Sequence, residues 1–146
     1  MVTPKGPKVL EYNVRFGDPE AQVILPLLEG DWGEVFKSVA RGELMDLNWR
    51  PLYCSCVVLA AEGYPQTPVR GAIIEGQIKY QTPSSYFLHA GTALSANDEW
   101  ITQGGRVLNA IGIGSTLKES VDLAYSQASK VSWVGMQLRK DIGARA

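Results

Sequence analysis

The hydrophobic pattern near the N-terminus predicts a strand over Lys8–Arg15, because apolar and polar residues alternate from Leu10 to Arg15. Successive side chains of a strand point to opposite faces of the sheet. The apolar face carries Leu10, Tyr12 and Val14. The polar face carries Glu11, Asn13 and Arg15. Neighbours on one face lie roughly 7 Å apart. We therefore expect an acid, an amide and a guanidinium side by side on one surface, above an apolar face that packs on a core.

Two helices are expected directly after this strand. Asp18 is a good N-cap residue and Pro19 suits the first helical position, so a helix is predicted to begin here. It should run to about Leu28 and bend at Pro26. Apolar residues recur at helical spacing over Trp32–Arg41, which predicts a second helix.

Beyond residue 48 the pattern becomes rich in strands. Tyr53–Ala61 is almost wholly apolar, which is typical of a strand covered on both faces. Shorter strands, separated by Gly, Asn-Asp and Gly-Gly turn signals, are predicted at Ser85–His89, Glu99–Thr102 and Arg106–Ile113. Thr116 and Glu119 form a capping-box pattern at the start of a long helix. Its apolar face includes Val131, and the helix is expected to end near Ser132.

These elements predict an α+β fold with two unequal parts. Residues 1–48 contain one strand and two helices, and they have the pattern of the end of a larger domain. Residues 49–146 should form a small domain in which one long helix packs on a mostly antiparallel sheet.

Composition narrows the classes of partner. The chain has 146 residues and a net charge of −1, without the basic excess expected of a protein that binds nucleic acid or anionic membranes. It contains neither an apolar run of the roughly 18–20 residues that span a bilayer nor a signal-peptide segment at its start. A cytoplasmic location is the default expectation.

Cys54 and Cys56 are the only cysteines, and both fall inside the apolar strand. A zinc site needs about four ligands, and His89 is the only histidine. We therefore expect two buried, reduced, structural thiols on one side of the strand.

The polar face of the first strand suits the chemistry of phosphates. Mg²⁺ prefers carboxylate and amide oxygens, such as those of Glu11 and Asn13, and often shares them with substrate phosphates. The Arg15 guanidinium can meet phosphoryl oxygens in a bidentate fork. The pattern alone also fits a merely solvent-facing strand, because polar outer faces are common.

The residues after this face carry a specific resemblance. Arg15–Gln22, RFGDPEAQ, resembles the signature of the phosphoribosylamine–glycine ligases, which belong to the ATP-grasp superfamily. Further landmarks follow in family order over nearly the whole chain. They are Gly63-Tyr64-Pro65, His89-Ala90-Gly91-Thr92, Gly104-Gly105-Arg106-Val107-Leu108 and Arg139-Lys140-Asp141-Ile142-Gly143. The most specific landmarks are the first, RFGDPEAQ, and the last, Arg139-Lys140-Asp141-Ile142-Gly143.

The resemblance implies an activity and a set of site residues. Family members join glycine to 5-phosphoribosylamine at the expense of ATP, through a glycyl phosphate, in an early step of purine synthesis. ATP would be the co-substrate and Mg²⁺ or Mn²⁺ the metal. By resemblance Glu11 and Asn13 are the metal ligands. Arg15 would steady the transferring phosphoryl group, or serve instead as a structural ion-pair partner.

The resemblance also implies that the chain is a C-terminal fragment. In complete family members a substrate-binding domain, a nucleotide-binding domain and a lid precede this strand. The isolated chain should therefore be inactive. One alternative is a non-catalytic assembly module that associates with itself through surfaces that normally face the missing domains. Another is a fragment of a different ATP-grasp ligase or carboxylase, against which the first and last landmarks argue.

Several landmark residues have two open interpretations. Asp18 either caps its helix or contacts the glycine ammonium group. His89 is either an ordinary turn residue or part of the site, and the role of Arg106 is open. Arg139, Lys140 and Asp141 either close the site around the sugar phosphate or form a solvated charge cluster.

Overall fold

The computed structural model describes residues 1–43 and 45–144. In the first third of the chain the elements are β1 (Val2–Thr3), β2 (Gly6–Pro7), α1 (Glu20–Ile24), β3 (Leu28–Glu29), α2 (Trp32–Arg41) and β4 (Asn48–Trp49). The remainder contains β5 (Tyr53–Ala60), β6 (Glu75–Gly76), β7 (Ser85–His89), β8 (Thr92–Leu94), β9 (Trp100–Thr102), β10 (Arg106–Gly114), α3 (Leu117–Ala128) and β11 (Val131–Ser132).

A three-stranded antiparallel sheet forms the centre of the fold, with strand order β5–β10–β7. Ile111 in the central strand lies opposite Cys56 of β5 and Tyr86 of β7. Among the described residues there are also four two-stranded ladders, which join β1 to β2, β3 to β4, β8 to β9, and β6 to β11. The predicted α+β class, with a mostly antiparallel sheet, is confirmed.

Both faces of the central sheet are covered, as the apolar run in β5 predicts. On one face Val57, Leu59 and Leu108 form the main core with Ala124 of α3. On the other face Cys56 and Ile111 pack with side chains of α1 and the 3-10 turn that follows it. Alternation along β5 places Cys54 with Cys56 on this second face.

The long helix α3 begins as the capping box predicts. The Thr116 hydroxyl accepts a hydrogen bond from the Glu119 amide at 3.1 Å. The helix ends at Ala128, before the expected end near Ser132. The assignment of Val131 to its apolar face is therefore wrong. Val131 instead pairs with Gly76 in the β6–β11 ladder, and its side chain is buried there. An apolar residue can be buried on a helix or on a strand, so the apolar character of Val131 did not reveal which of the two it belongs to.

The strand predicted at Lys8–Arg15 is not formed in the part of the chain that the structure describes. Lys8 exchanges hydrogen bonds with Met1, but residues 9–15 have no ladder partner there, and a strand requires a neighbour for its backbone N–H and C=O groups. Its predicted apolar face is also exposed, since Leu10, Tyr12 and Val14 are 73%, 83% and 95% accessible to solvent. The polar trio nevertheless lies together, as described below.

The first helix also differs from its prediction. Pro19 is the N-cap of α1, and no side chain caps the helix, so the N-cap role predicted for Asp18 is wrong. The helix ends at Ile24 and continues as a 3-10 turn over Leu25–Leu27. Pro26 lies inside that turn, as expected of a residue that interrupts the hydrogen bonding of an α-helix. The second helix, Trp32–Arg41, matches its prediction.

No helix among the described residues is long and apolar enough to cross a membrane.

Candidate functional site

Glu11, Asn13 and Arg15 form a chain of hydrogen bonds on the protein surface. The Asn13 side-chain amide donates to Glu11 Oε1 at 3.0 Å. Arg15 Nη1 donates to Asn13 Oδ1, and the same nitrogen donates to the Phe16 carbonyl oxygen at 3.0 Å. All three side chains are exposed. The structure thus brings the three predicted residues together, although on an irregular segment instead of a paired strand.

These three side chains line a cavity of about 300 Å³. The cavity carries three carboxylates and two guanidiniums, and therefore has an excess of acid. Its lining residues are Glu11, Asn13, Arg15, Gly17, Asp18, Pro19, Glu20 and Arg106. Such a surface suits a metal cation together with the anionic groups that the cation neutralises.

The donor set fits a hard divalent cation. The described residues contain no cluster of three or more His, Cys, Asp or Glu side chains that would hold a metal ion by themselves. Glu11 and Asn13 supply a carboxylate and an amide oxygen, which are the ligand types that Mg²⁺ prefers. Mg²⁺ commonly keeps several waters and takes only one or two protein carboxylates plus substrate phosphates. Two protein ligands are therefore sufficient for such a site.

The alternative of a structural ion pair for Arg15 has no support among the described residues. Both acceptors of Arg15 are neutral, namely the Asn13 amide oxygen and the Phe16 carbonyl oxygen. An ion-pair partner would be a carboxylate, and none lies within ion-pairing distance of Arg15 in the described chain. The charge of this guanidinium is therefore available to an anionic ligand.

Asp18 has a role that the sequence did not reveal. Its Oδ2 lies 2.8 Å from Arg106 Nη2, and its Oδ1 accepts from the Gln22 side-chain amide at 2.7 Å. Arg106 Nη1 is also 3.4 Å from the Asp18 carbonyl oxygen and 3.4 Å from the Tyr64 hydroxyl. The landmark motifs that contain Asp18, Tyr64 and Arg106 therefore meet at one guanidinium.

Glycines permit this convergence of motifs. A Cβ at Gly105 would lie 2.5 Å from the Tyr64 ring, and one at Gly91 would lie 2.5 Å from the Gly104 Cα. Side chains at these positions would separate the loops. Beside the site lies a second cavity of about 370 Å³, whose lining includes Pro19, Tyr64, Arg106 and Arg139.

His89 lies in a different cavity, whose lining includes Tyr80 and Phe87. Its Nδ1 is 2.8 Å from the Thr92 hydroxyl, and its ring lies 4.5 Å from that of Trp100. Partial burial lowers the pKa of His89 below its ordinary value of 6.5. These contacts account for the position of the His89 side chain, which does not line the cavity that contains Glu11, Asn13 and Arg15.

Two residues of the C-terminal charged motif, Arg139 and Asp141, form an ion pair with each other. Arg139 donates to both carboxylate oxygens of Asp141, at 2.9 and 2.7 Å, and this holds the pKa of Asp141 below its ordinary value. Arg139 also lines the second cavity, whereas Lys140 lines a separate apolar hollow beside Tyr125. Both interpretations of this motif therefore remain predictions.

The two thiols of β5 are poor nucleophiles. Burial raises the pKa of Cys54 to about 11 and that of Cys56 to about 12. Both cysteines are free and Cys56 is buried, as predicted, but Cys54 is only partly buried, so the expectation of two buried thiols is wrong for Cys54. The Cys56 thiol donates to Asn109 Oδ1 at 3.7 Å, which is a structural contact inside the fold.

Comparison with known families gives one domain match. Residues 54–145 match the family model described as "Phosphoribosylglycinamide synthetase, C domain". The chain is 44% identical to the trifunctional purine biosynthetic protein adenosine-3 of Drosophila melanogaster, over 100% of this chain and 11% of that protein. It is 42% identical to the phosphoribosylamine–glycine ligase of Caulobacter vibrioides, over 100% of this chain and 35% of that protein.

A solved structure shows the same fold. The crystal structure of phosphoribosylamine–glycine ligase from Thermotoga maritima superposes with a TM-score of 0.77 at 37% identity, over 98% of this chain and 35% of that chain. The present chain thus spans about a third of the length of the single ligases that it matches, and about a tenth of the insect proteins.

Proposed function

Because this chain belongs to the phosphoribosylglycinamide synthetase family, we propose that it supplies the C-terminal portion of an ATP-dependent ligase of purine synthesis. The complete enzyme would join glycine to 5-phosphoribosylamine, giving glycinamide ribonucleotide, ADP and phosphate. The observation that carries the proposal is the joint placement of Glu11, Asn13 and Arg15 on one cavity wall. ATP, glycine and 5-phosphoribosylamine would be bound together with the remaining two thirds of the enzyme.

The proposed reaction has two steps. A carboxylate oxygen of glycine attacks the γ-phosphorus of ATP, and the bond to the bridging oxygen breaks to release ADP. The amine nitrogen of the sugar then attacks the carbonyl carbon of glycyl phosphate and loses a proton, and inorganic phosphate leaves with the bonding electron pair. Catalysis of such transfers depends mainly on positioning and on neutralisation of charge.

Each residue of the trio has a distinct role in this proposal. Glu11 and Asn13 would hold Mg²⁺ or Mn²⁺, which when bound supplies positive charge beside the ATP phosphates. Arg15 would donate to an oxygen of the transferring phosphoryl group or of the acyl phosphate. Its present acceptor, Asn13 Oδ1, is neutral, so a charged phosphoryl oxygen would be the stronger acceptor.

We also propose the division of the chain at residues 48 and 49. Residues 1–48 would complete the nucleotide-binding domain, and residues 49–146 would form the small C-terminal domain. The start of the family match at residue 54 supports this division. A cytoplasmic location is part of the same proposal, without nucleic acid or membrane as a partner.

A second candidate function is that of a non-catalytic assembly module. The exposed apolar side chains near the N-terminus favour it, since Leu10, Tyr12 and Val14 are each at least 73% accessible. Light scattering at increasing concentrations of the chain tests this candidate. A mass that rises with concentration supports self-association through these surfaces, and a constant monomer mass removes it.

The ligase proposal is tested by joining this chain to the N-terminal two thirds of the Caulobacter vibrioides enzyme. We expect glycine-dependent release of ADP in the presence of 5-phosphoribosylamine. R15Q should lower kcat by roughly 100-fold, because one preorganised donor to developing charge is lost. E11Q should raise the Mn²⁺ concentration needed for half-maximal activity.

E75Q is the matched control, since Glu75 is exposed in β6 and lies outside the cavity. It should behave like the unmodified hybrid. An inactive hybrid would count against the ligase function. A hybrid whose rate and metal requirement are unchanged by R15Q and E11Q would overturn the roles assigned to Arg15 and Glu11.

A further inference from the structure

Arg106 connects two parts of the chain that lie far apart in sequence. It begins the central strand β10, and its guanidinium contacts Asp18 at 88 residues' separation. The contact is double, with an ion pair to Asp18 Oδ2 at 2.8 Å and a longer hydrogen bond of 3.4 Å to the Asp18 carbonyl oxygen. The guanidinium also lies 3.4 Å from the Tyr64 hydroxyl. One side chain therefore fixes both the backbone and the carboxylate of Asp18 relative to the central sheet.

The contact between Asp18 and Arg106 holds residues 9–19, the segment that carries Glu11, Asn13 and Arg15. Residues 9–19 contain no helix or strand. Within the described chain, their hydrogen bonds and ion pairs to residues beyond Gln22 all come from Arg106. Asp18 follows Arg15 by only three residues, so a displacement of Asp18 moves the Arg15 backbone as well. Besides its covalent continuation into α1, the segment is therefore anchored to the central sheet in the described chain by the contact between Asp18 and Arg106.

Arg106 also lies on the wall between two cavities. It lines the cavity of about 300 Å³ that contains the trio and the neighbouring cavity of about 370 Å³ that contains Tyr64 and Arg139. It lines the first cavity together with three carboxylate residues, Glu11, Asp18 and Glu20, and it contacts Asp18 directly. Loss of this charge would leave Arg15 as the sole cation among three acids on that wall.

We infer that Arg106 is a positioning residue of the proposed ligase site, which acts through Asp18 to hold the segment that bears Glu11, Asn13 and Arg15. This inference rests on the proposed function. An ordinary surface ion pair is the competing explanation. Both partners are partly exposed, with side chains 39% and 47% accessible, so the pair contributes little to global stability. A positioning role predicts that loss of Arg106 disturbs residues 14–18 and metal binding. An ordinary surface ion pair predicts no effect on either.

The first test uses the 146-residue chain without metal and measures backbone order by {¹H}–¹⁵N NMR. In the unmodified chain the amides of residues 14–18 should be nearly as ordered as those of α1. R106Q should lower their heteronuclear NOE while the amides of β10 and α3 stay unchanged. R106K keeps the charge but loses the fork geometry, so it should give an intermediate result.

K118Q is the matched control, because it breaks an exposed ion pair between Lys118 and Asp122 on α3, away from the segment. It should leave residues 14–18 unchanged. If R106Q fails to fold, D18N removes the same ion pair from the other side and is judged by the same measurement. Order at residues 14–18 that is unchanged in R106Q or D18N overturns the inference, as does a segment that is already disordered in the unmodified chain.

The second test measures the affinity for Mn²⁺ by electron paramagnetic resonance. R106Q should weaken binding by roughly 10-fold, as is typical for the loss of a residue that orients metal ligands. The melting temperature should change little. A lower melting temperature with unchanged Mn²⁺ affinity would mean that the ion pair is only structural, and it would overturn the inference. Absence of Mn²⁺ binding by the unmodified chain would count against the proposed metal site, and the NMR result would then decide the role of Arg106 alone.

Discussion

Gly112 of β10 lies directly against the backbone of Ser120 in α3. A Cβ at Gly112 would come within 2.2 Å of the Ser120 carbonyl oxygen and 2.4 Å of the Ala124 amide nitrogen. Both contacts are with helix backbone, which has little freedom to move. The absence of a side chain at Gly112 therefore sets how closely the long helix approaches the central strand.

G112A should destabilise the fold by at least ~2 kcal/mol, because the helix must move away from the sheet to admit one methyl group. Urea unfolding followed by far-UV circular dichroism measures this change. G33A is the matched control, since Gly33 lies in α2, where the nearest atom to an added Cβ is a side-chain oxygen at 3.0 Å. G33A should change stability by less than about 1 kcal/mol. Equal effects of the two substitutions would refute the close-packing argument.

The helix–sheet core was largely predictable, and the reason is visible in β5. Its almost wholly apolar run is typical of a strand buried on both faces, and the structure covers it with α3 on one face and α1 on the other. The capping box at Thr116 and Glu119 depends on residues three apart, so sequence locates it directly. These two local patterns were therefore reliable, whereas the cap predicted at Asp18 and the helix face extended to Val131 were not.

The candidate site was only partly predictable because its supports are distant in sequence. The alternation at residues 9–15 correctly placed Glu11, Asn13 and Arg15 on one side, but it could not show that the segment lacks a ladder partner in the described chain. Asp18 fits the pattern of a helix cap, yet its carboxylate binds Arg106, 88 residues away. No spacing rule links those two positions.

Gln127 should be essential for stability because its buried amide joins α3 to β7 and to the loop that contains Tyr80. Its Oε1 accepts from the Ser85 hydroxyl at 2.8 Å, and its Nε2 donates to the Tyr80 carbonyl oxygen at 2.9 Å. The side chain is fully buried, so Q127A would leave two polar partners without a hydrogen bond and create a cavity. We expect a loss of about 2–4 kcal/mol in the free energy of unfolding.

Chemical denaturation of Q127A and of Q66A, a substitution at an exposed position, measures this loss. Q66A should unfold at nearly the same urea concentration as the unmodified chain. If Q127A loses no more stability than Q66A, the buried amide is not a structural support.

His89 should make stability depend on pH in the weakly acidic range. Partial burial lowers the pKa of His89 in the folded chain below the ordinary value of 6.5 that the unfolded chain retains. As the pH falls, the unfolded chain therefore takes up its proton first. The contribution of neutral His89 is complete above about pH 6.5 and is lost as the pH falls through the lower folded pKa.

H89Q removes this titration, and His89 is the only histidine in the chain. Urea midpoints measured between about pH 7.5 and 5.5 should decline less steeply in H89Q than in the unmodified chain. Carboxylates titrate mainly below this range, so they add little to the difference. Parallel curves for the two proteins would show that burial of His89 has no thermodynamic consequence.

The isolated chain should not make glycinamide ribonucleotide. Glu11, Asn13 and Arg15 hold one wall of a cavity of about 300 Å³, and one wall cannot orient ATP, glycine and a sugar amine for two successive transfers. Holding reactants in attack geometry supplies about 7–11 kcal/mol of the barrier reduction in favourable cases, so its loss leaves no measurable turnover. A coupled ADP-release assay with all three substrates tests this, with the active hybrid enzyme as the positive control. Glycine-dependent turnover by the chain alone would show that these described residues assemble a complete site, and the proposed dependence on a further two thirds of the ligase would be wrong.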